Sequence, residues 1–431
     1  MMAGTRHLWR QVLPSALAVL WLAGPTDAPA EPLDRAGDPA DFNPEVVLAK
    51  THPDMRALRR ALKPEIAALE ARLEVAEQAG ADQSCLRQAV TELRWRLGST
   101  SDVAAAEHVR DRLRTLAAAP STPAGNTQDA DGSFGACVEE WFWKLDASTD
   151  RFLADDPMPV DPRFLDRVND PARLDAYLQG LLRSDPRRDG IDRRKELNIA
   201  SADLVRLVLR RKPARYPWRA DLVPVVRRFL AAAQDPATGF FGERYHDGAR
   251  EFRMQDLSVT FHMARYVDGD IDHWPELIDH LIAMKGGTYP YGWLDTDGMT
   301  SHNNYDVVAL FRLAWPRIGP AQRAAVAREI EPLLDWCLGT ALGPDGTLKI
   351  RADGESWPDA LYFTTAFLDE VGFLDPAKRY WTERALPDPT RIRAGLVEQA
   401  ARLPPGTPMA RAALLRLAAN PSEPVRPSAP E

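Results

Sequence analysis

The residues best suited to chemistry form one compact polar group just before an apolar helical run: Ser301, His302, Asn303, Asn304, Tyr305 and Asp306. A single Ser, Asn or Asp is enough to cap a helix, so this group holds more polar types than capping requires. Its histidine or tyrosine could act as a base, its asparagines could donate hydrogen bonds to developing charge, and its aspartate supplies a carboxylate. The alternative is that Asn304 or Asp306 caps the helix and the other side chains satisfy nearby backbone groups.

Aspartates recur near the start of apolar helical runs, at intervals of about fifty residues: Asp203, Asp256, Asp306 and Asp359. The last three are candidate catalytic groups, because cleavage of a glycosidic bond normally uses two carboxyl groups a few ångströms apart. If their helices form a ring, these carboxylates point into one cavity. The alternative is that each aspartate caps its own helix, a role that suits Asp359 because it follows Pro358.

A second set of polar and aromatic residues occupies the loops between the helical runs. The segment 238–245 (TGFFGERY) carries Glu243, a further carboxylate, and Arg244, which could clamp a substrate carboxylate or hydroxyl. The same segment also suits a helix-ending turn, with glycines supplying positive φ. Aromatic rings beside carboxylates are typical of sugar sites, since the apolar face of a pyranose stacks on them. The candidate substrate-binding residues are Asn303, Asn304, Arg244, Tyr245, Trp293, Trp357 and His262.

The elements that must position these residues are helices, because apolar residues recur with a period near 3.6 and rarely alternate. Four Asp-Gly pairs mark residues 171–375 as similar units of helix, Gly/aromatic loop and helix: Asp189-Gly190, Asp247-Gly248, Asp297-Gly298 and Asp353-Gly354. One such hairpin cannot bury its apolar face alone, so its neighbours must stack on it. The pattern predicts an all-α protein in which residues 136–419 form an α/α toroid. Side chains such as Phe311 and Phe367 would fill its inner ring.

The rest of the chain divides into smaller parts. Residues 31–135 predict a leader over 31–52, a helical segment that begins near Pro64, and a flexible connector over 119–135. Residues 420–431 are rich in proline and predict a disordered tail. Of the three cysteines, Cys85 and Cys137 flank polar loops and are the expected disulfide, whereas Cys337 lies in an apolar run. Three unpaired thiols are the alternative.

Residues 1–30 predict a cleaved signal peptide, with arginines before an apolar stretch over 12–24 and small residues before Glu31. That stretch is too short to span a bilayer, and no later segment is long enough. We therefore expect a secreted or periplasmic protein without a membrane span. The net charge of -8 argues against a nucleic-acid partner. Metal-ligand motifs and nucleotide-binding motifs are missing from the sequence, so neither a metal nor a cofactor is expected.

The run 357–368 (WPDALYFTTAFL) and the Gly/aromatic loops resemble secreted α/α-toroid carbohydrate enzymes, most closely unsaturated glucuronyl hydrolases. The resemblance implies a general acid/base carboxylate at Asp359 or its repeat mates. A second clear copy of the motif is lacking. Separately, residues 302–305 (HNNY) are similar to the Asn/His/Tyr sets of alginate-type lyases, in a different order. That likeness implies a group that neutralises the uronate carboxylate and a base for the C5 proton.

These observations favour an exported enzyme that cleaves a polysaccharide or oligosaccharide, with hydrolysis ahead of a lyase reaction on a uronate glycan. A hypothesis from another class is a non-catalytic toroid that binds glycan or envelope partners through the same aromatic cleft. In each case the expected partner is a carbohydrate.

Overall fold

Helices dominate the computed structural model, which describes residues 35–36, 42–78, 81–119, 127–248, 250–294, 298–349, 356–403 and 408–418. The predicted all-α class is confirmed, although four short strands accompany the helices. The predicted signal peptide and C-terminal tail lie outside the described residues. No helix in the described part of the chain is long and apolar enough to cross a membrane.

The N-terminal segment contains four helices: α1 (Pro44–Thr51), α2 (Pro53–Gln78), α3 (Ser84–Ser99) and α4 (Val103–Ala118). The prediction that a helix begins near Pro64 is wrong, because α2 begins eleven residues earlier and continues through this proline. A proline inside a helix removes one backbone hydrogen bond. Leu62 and Leu69, on either side of it, are both buried in the apolar core that α2 shares with α3 and α4, and this packing keeps the helix continuous.

The segment after α4 is tied to the N-terminal helices. The predicted disulfide is confirmed: Cys85, in the first turn of α3, is bonded to Cys137. The buried carboxylate of Glu92 accepts hydrogen bonds from the backbone N–H groups of Glu139 and Glu140, at 2.9 and 3.0 Å. Residues 120–126 of the predicted flexible connector lie outside the described residues. The remaining cysteine, Cys337, is buried and unbonded.

The larger part of the chain packs as two rows of helices. The inner row consists of α5 (Trp141–Leu153), α8 (Arg194–Glu196) with α9 (Ala202–Arg210), α11 (Leu257–Tyr266), α13 (Ser301–Ala314), α15 (Trp357–Glu370) and α17 (Pro408–Ala418). A π-helical turn, Leu197–Ser201, joins α8 to α9. Each inner helix contacts the next along the chain.

The outer row alternates with the inner row along the chain. It consists of α6 (Pro171–Leu181), α10 (Leu222–Ala233), α12 (Trp274–Ala283), α14 (Pro320–Trp336) and α16 (Thr390–Ala401). The short elements are α7 (Pro186–Asp189), 3₁₀ turns at Arg163–Arg167, Trp315–Arg317 and Pro376–Lys378, and a π-helical turn at Cys337–Ala341. Phe311 and Phe367 of the inner row are buried in one apolar core with Leu277 and Leu333 of the outer row, so burial of apolar surface holds the rows together.

A small sheet, not expected from the sequence, lies beside the inner row. Its strands are β1 (Arg35–Ala36), β2 (Arg183–Ser184), β3 (Arg244–Asp247) and β4 (Arg250–Arg253), in the order β1-β4-β3-β2. β3 and β4 form an antiparallel hairpin in which Tyr245 pairs with Phe252, while the outer strands pair in parallel. The pair Asp247-Gly248 therefore lies at a hairpin turn, where Gly248 has a φ of 63°. Asp-Gly favours such turns as readily as interhelical loops, and for this reason its repeat was misleading here.

The described residues of the predicted leader, 35–36 and 42–52, pack against the rest of the fold. β1 pairs with β4, and the Phe42 ring packs against Tyr245 and Phe252 with centroid distances of 4.8 and 4.7 Å. α1 follows directly and contacts α2, α3 and α7. Aromatic packing, which composition does not reveal, holds Phe42 against the hairpin of β3 and β4.

Candidate functional site

Polar and aromatic side chains from consecutive inner helices share one surface, which we call the polar face: Asp146, Lys195, Arg206, His262, Arg265, Tyr266, His302, Tyr362, Phe363 and Arg416. Contacts across helix boundaries define this surface. The Arg206 guanidinium lies 4.4 Å from the centroid of the Tyr266 ring, and Arg265 Nη2 donates to the Tyr362 hydroxyl at 3.3 Å. Most of these side chains are partly exposed, so solvent reaches the surface that they line.

Two residues of the predicted polar group meet on α13. His302 Nε2 lies 3.6 Å from Asp306 Oδ2, and the Tyr289 hydroxyl donates to the same oxygen at 2.9 Å. The His302 ring stacks on Phe363 with a centroid distance of 4.2 Å and lies 5.1 Å from Tyr289. Asp306 is almost fully buried, whereas His302 is about one-third exposed, 32% of its side-chain surface. The imidazole is therefore the accessible member of this pair.

Other residues at the start of α13 contact the backbone or the core of the fold. Thr300 caps α13 by accepting the backbone N–H of Asn303 at 3.1 Å, so the expectation of a cap at Asn304 or Asp306 is wrong. Asn303 also directs its amide toward the Trp293 carbonyl at 3.4 Å. Asn304 is fully buried, and its amide has no hydrogen-bond partner among the described residues. None of these asparagines reaches the polar face.

Tyr305 lies beneath the polar face. Its ring is fully buried and meets Phe261 edge-on at 5.3 Å, and its hydroxyl accepts from Arg416 Nη2 at 3.4 Å. Burial raises the pKa of this phenol well above its ordinary value, although Arg265 opposes the shift. Tyr305 is therefore poorly suited to act as a base.

Asp256 is both a helix cap and half of a buried ion pair. Its Oδ1 accepts the backbone N–H of Val259 at 3.0 Å, and the carboxylate binds Arg194 through Nε at 2.5 Å and Nη2 at 3.2 Å. The carboxylate is fully buried. With its oxygens engaged and shielded from solvent, it holds the start of α11 against α8.

Two more carboxyl groups lie in the same buried cluster, formed by Asp192, Glu243 and Asp256 around Arg194. The Tyr291 hydroxyl donates to Glu243 Oε1 at 2.8 Å, while Oε2 is buried without a hydrogen-bond partner among the described residues. Burial, together with the charge of Asp256, raises the pKa of Glu243 to about 8. Tyr245 donates to Asp192 at 2.6 Å and is itself fully buried, so it positions this cluster and does not line an open site.

Three other predicted residues lie away from the polar face. Arg244 donates to the Ala232 carbonyl of the outer helix α10 at 3.0 Å. Trp293 is completely buried in the apolar core, and its indole N–H donates to the Leu281 carbonyl at 2.8 Å. Trp357 begins α15 and lines a separate cavity of about 580 Å³. The predicted sugar platforms at these tryptophans are therefore not part of one site, because Trp293 is buried in the core and Trp357 lines a separate cavity.

Asp359 lies apart from the other two aspartates. Ser356 caps α15 by accepting the Asp359 backbone N–H at 3.3 Å, and the serine hydroxyl donates to Asp359 Oδ2 at 2.6 Å. Asp256 is a cap residue, Asp359 follows its cap by three positions, and Asp306 follows Thr300 by six. The expectation that they occupy equivalent positions facing one cavity is wrong, because equal spacing in sequence does not preserve the rotation of each helix.

One carboxyl group that was not among the predicted site residues lies on the polar face, and a second is buried near it. Asp146, on α5, is solvent-exposed and makes no hydrogen bond or ion pair with another described residue. Asp203, near the start of α9, is buried beside Arg206, whose Nη1 donates to Asp203 Oδ1 at 3.4 Å. Asp203 heads the periodic aspartate series, which is the signal that could have identified it. Asp146 lies outside the repeats and carries no such signal.

Desolvation acts on both members of this pair. Loss of hydration raises the pKa of Asp146 to about 6, although Lys195 opposes the shift, and Asp150 adds to it. Burial and the neighbouring Asp146 raise the pKa of Asp203 well above its ordinary value. Protein atoms around the two carboxyl groups replace part of the surrounding water and so favour their neutral forms.

One tyrosine on the polar face has a lowered pKa, in contrast to the raised pKa values of the two aspartates. Burial opposes ionisation of Tyr362, but the guanidinium groups of Arg265 and Arg416 outweigh it, so the pKa of Tyr362 is lowered. Its ring packs edge-on against Phe363 at 5.3 Å, which places it close to His302. The sequence gives Tyr362 only as part of the run 357–368, and its arginine neighbours come from distant helices.

His262 lies among cations on the same surface. Its Nδ1 is 3.2 Å from the Tyr266 hydroxyl. Burial, followed by the positive charges of Arg265 and His302, lowers the pKa of His262 well below its ordinary value, with smaller contributions from Arg206 and Lys195. The imidazole is therefore neutral at physiological pH.

Within the described residues, no group of three or more His, Cys, Asp or Glu side chains could hold a metal ion. Comparison with known proteins places the chain beside none of them: no family model, no curated protein and no solved structure matches it. Its chemistry must be argued from the polar face alone.

Proposed function

We propose that this chain is an exported enzyme that hydrolyses a polysaccharide or oligosaccharide, and that its inner row closes as an α/α toroid around the polar face. The observation that carries the proposal is Asp146, an exposed carboxyl group with a pKa near 6 beside the rings of the polar face. An acid of this strength can hold a proton and release it near neutral pH. Partly exposed aromatic rings such as Tyr266 and Phe363 supply stacking surfaces for sugar.

In the proposed reaction Asp146 gives its proton to the glycosidic oxygen as the bond from that oxygen to the sugar carbon breaks. A water molecule then adds to the carbon, and its proton returns to Asp146. Asp203 has a supporting place in this arrangement, because its carboxyl is buried and accepts a hydrogen bond from Arg206 at 3.4 Å. Since the acid form is required, the reaction should slow as the pH rises through about 6.

The test is a panel of neutral and uronate-containing glycans, incubated with the mature protein and assayed for new reducing ends. Asp146→Asn should lower turnover by roughly 10²–10⁴-fold with little change in melting temperature, because this carboxylate forms no hydrogen bond or ion pair with another described residue. Asp161→Asn is the matched control, since its side chain is 77% exposed on a remote loop. Full activity in Asp146→Asn would refute the assignment of the acid. Binding of glycan without any cleavage would favour the non-catalytic toroid.

Elimination is a second candidate, favoured by the lowered pKa of Tyr362. Its phenolate would take the proton at C5 of a uronate as the C4–O bond breaks, and His302 would protonate the leaving oxygen. The product then carries a new conjugated double bond that absorbs in the ultraviolet, which hydrolysis does not create. If reducing ends appear together with this absorbance, and Tyr362→Phe abolishes both, the reaction is elimination and not hydrolysis.

A further inference from the structure

Two cations of the polar face lack a carboxylate partner. Among the described residues, Arg265 forms no ion pair; its guanidinium donates to the Tyr362 hydroxyl and lies 5.5–5.7 Å from the centroids of three aromatic rings. Lys195 likewise forms no ion pair, and its ammonium lies 5.8 Å from the centroid of the Trp143 ring. Its nearest acidic neighbours, Asp146 and Asp256, act on it only at longer range.

Their surroundings distinguish these two from the other cations nearby. Arg206 is paired with Asp150 at 2.7 Å, and Arg194 with Asp256 at 2.5 Å. Arg416 is likewise paired with Asp369 at 2.8 Å. Those arginines are neutralised within the fold, whereas neither Lys195 nor Arg265 has a carboxylate of the described residues in contact with it, and burial removes part of the water around both. Such charge is costly unless a counter-charge approaches it.

His262 lies within the electrostatic reach of both unpaired cations. His262 Nδ1 lies 3.2 Å from the Tyr266 hydroxyl, and the Arg265 guanidinium lies 5.7 Å from the centroid of the same ring. The positive charges of Arg265 and Lys195 also help to lower the pKa of His262. A neutral imidazole offers one N–H donor beside the two cations. The ammonium, the guanidinium and the imidazole N–H are three hydrogen-bond donors on a partly exposed surface among aromatic rings. Together they suit one tetrahedral or planar oxyanion.

We propose that Lys195, His262 and Arg265 bind an anionic substituent of the ligand, a sulfate ester or a carboxylate carried by a sugar. The aromatic rings around Arg265 would contact the sugar that carries it. This inference rests on the proposed glycan substrate, because it names the charged group that the same surface would select.

The experiment measures anion binding directly, by titration calorimetry of the mature protein with inorganic sulfate and, separately, with glucuronate. Arg265→Gln and Lys195→Met should each weaken binding by at least about tenfold, the effect of one charge-assisted hydrogen bond. Lys285→Met is the matched control: that lysine also lies over an indole, 5.3 Å from the Trp293 centroid, but is paired with Glu329 at 2.6 Å. Its removal should leave anion binding unchanged.

Histidine NMR gives a second readout that does not depend on activity. Saturation with the bound anion should raise the pKa of His262, because a negative charge stabilises the imidazolium. Binding of sulfate alone would identify a sulfated sugar, and binding of glucuronate alone a uronate; both support the site. The proposal would be overturned if neither anion binds, or if the parent and Arg265→Gln bind the anion equally.

The outcomes also separate this inference from the proposed function. Cleavage of glycans in the panel, without binding of sulfate or glucuronate, would keep the enzyme and discard the anion site. Sulfate binding that depends on Lys195 and Arg265, without cleavage of any glycan in the panel, would keep the site and discard the hydrolase.

Discussion

Replacing Glu243 by glutamine should make the protein more stable at alkaline pH than the parent chain. The side chain is fully buried, accepts a hydrogen bond from Tyr291, and shares its surroundings with the charged carboxylate of Asp256. Its pKa is raised to about 8, so the folded protein holds the neutral form through the neutral range. Glutamine has the same shape as that neutral form and keeps an oxygen for the Tyr291 hydroxyl.

The size of the effect follows from the difference in proton binding between the folded and unfolded chains. The unfolded carboxyl loses its proton near its ordinary pKa of 4.5, while the folded one keeps its proton until about pH 8. Between these values the folded chain binds more protons, so stability falls as the pH rises, by about 1.4 kcal/mol per pH unit. From pH 5 to pH 8 the parent loses about 4 kcal/mol through this group, and Glu243→Gln does not.

Urea unfolding of both proteins at several pH values between 5 and 8 measures the difference. The stability of Glu243→Gln relative to the parent should rise steadily with pH, and the effects of titrating groups outside this buried cluster cancel in that comparison. Glu276→Gln is the matched control, because Glu276 is exposed in the first turn of α12 and should show no such trend. A relative stability that stays flat across this range would refute the burial argument for Glu243.

Three further predictions concern the helices and their connections. Thr300→Ala should cost about 1 kcal/mol of unfolding free energy through the lost cap of α13, while glycan cleavage stays unchanged; a loss of activity at unchanged stability would contradict the capping role. Asp256→Asn should cost about 3–5 kcal/mol, because asparagine still caps α11 but leaves the Arg194 charge buried and unpaired; a calorimetric melting temperature equal to that of the parent would argue against this ion pair. Replacing Cys85 and Cys137 together by serine should cost about 4 kcal/mol, from the loss of a cross-link that closes a 52-residue loop; urea midpoints that agree between the two proteins would contradict it.

Local features were predictable because neighbouring residues in the sequence fix them. Helical periodicity gave the all-α class, since a period of 3.6 residues places apolar side chains on one face of a helix. His302 and Asp306 are four residues apart, and that spacing brings them together on α13 whatever surrounds the helix. Asp256 at a helix start became a cap for the same local reason. The disulfide was also predictable from the sequence, because only two of the three cysteines flank polar loops.

Contacts between distant segments decided which residues share a surface. Asp146, Lys195, Arg265 and Tyr362 come from four inner helices, and their convergence depends on how each helix is rotated against its neighbours. Sequence spacing carries no record of that rotation. Tertiary packing also places Trp293 away from the polar face, because burying its large indole in the apolar core stabilises the fold. The sequence by itself therefore determined the helices and the residue pairs within them. Tertiary packing alone decided which charged groups are buried, and the loss of hydration on burial shifts their pKa values.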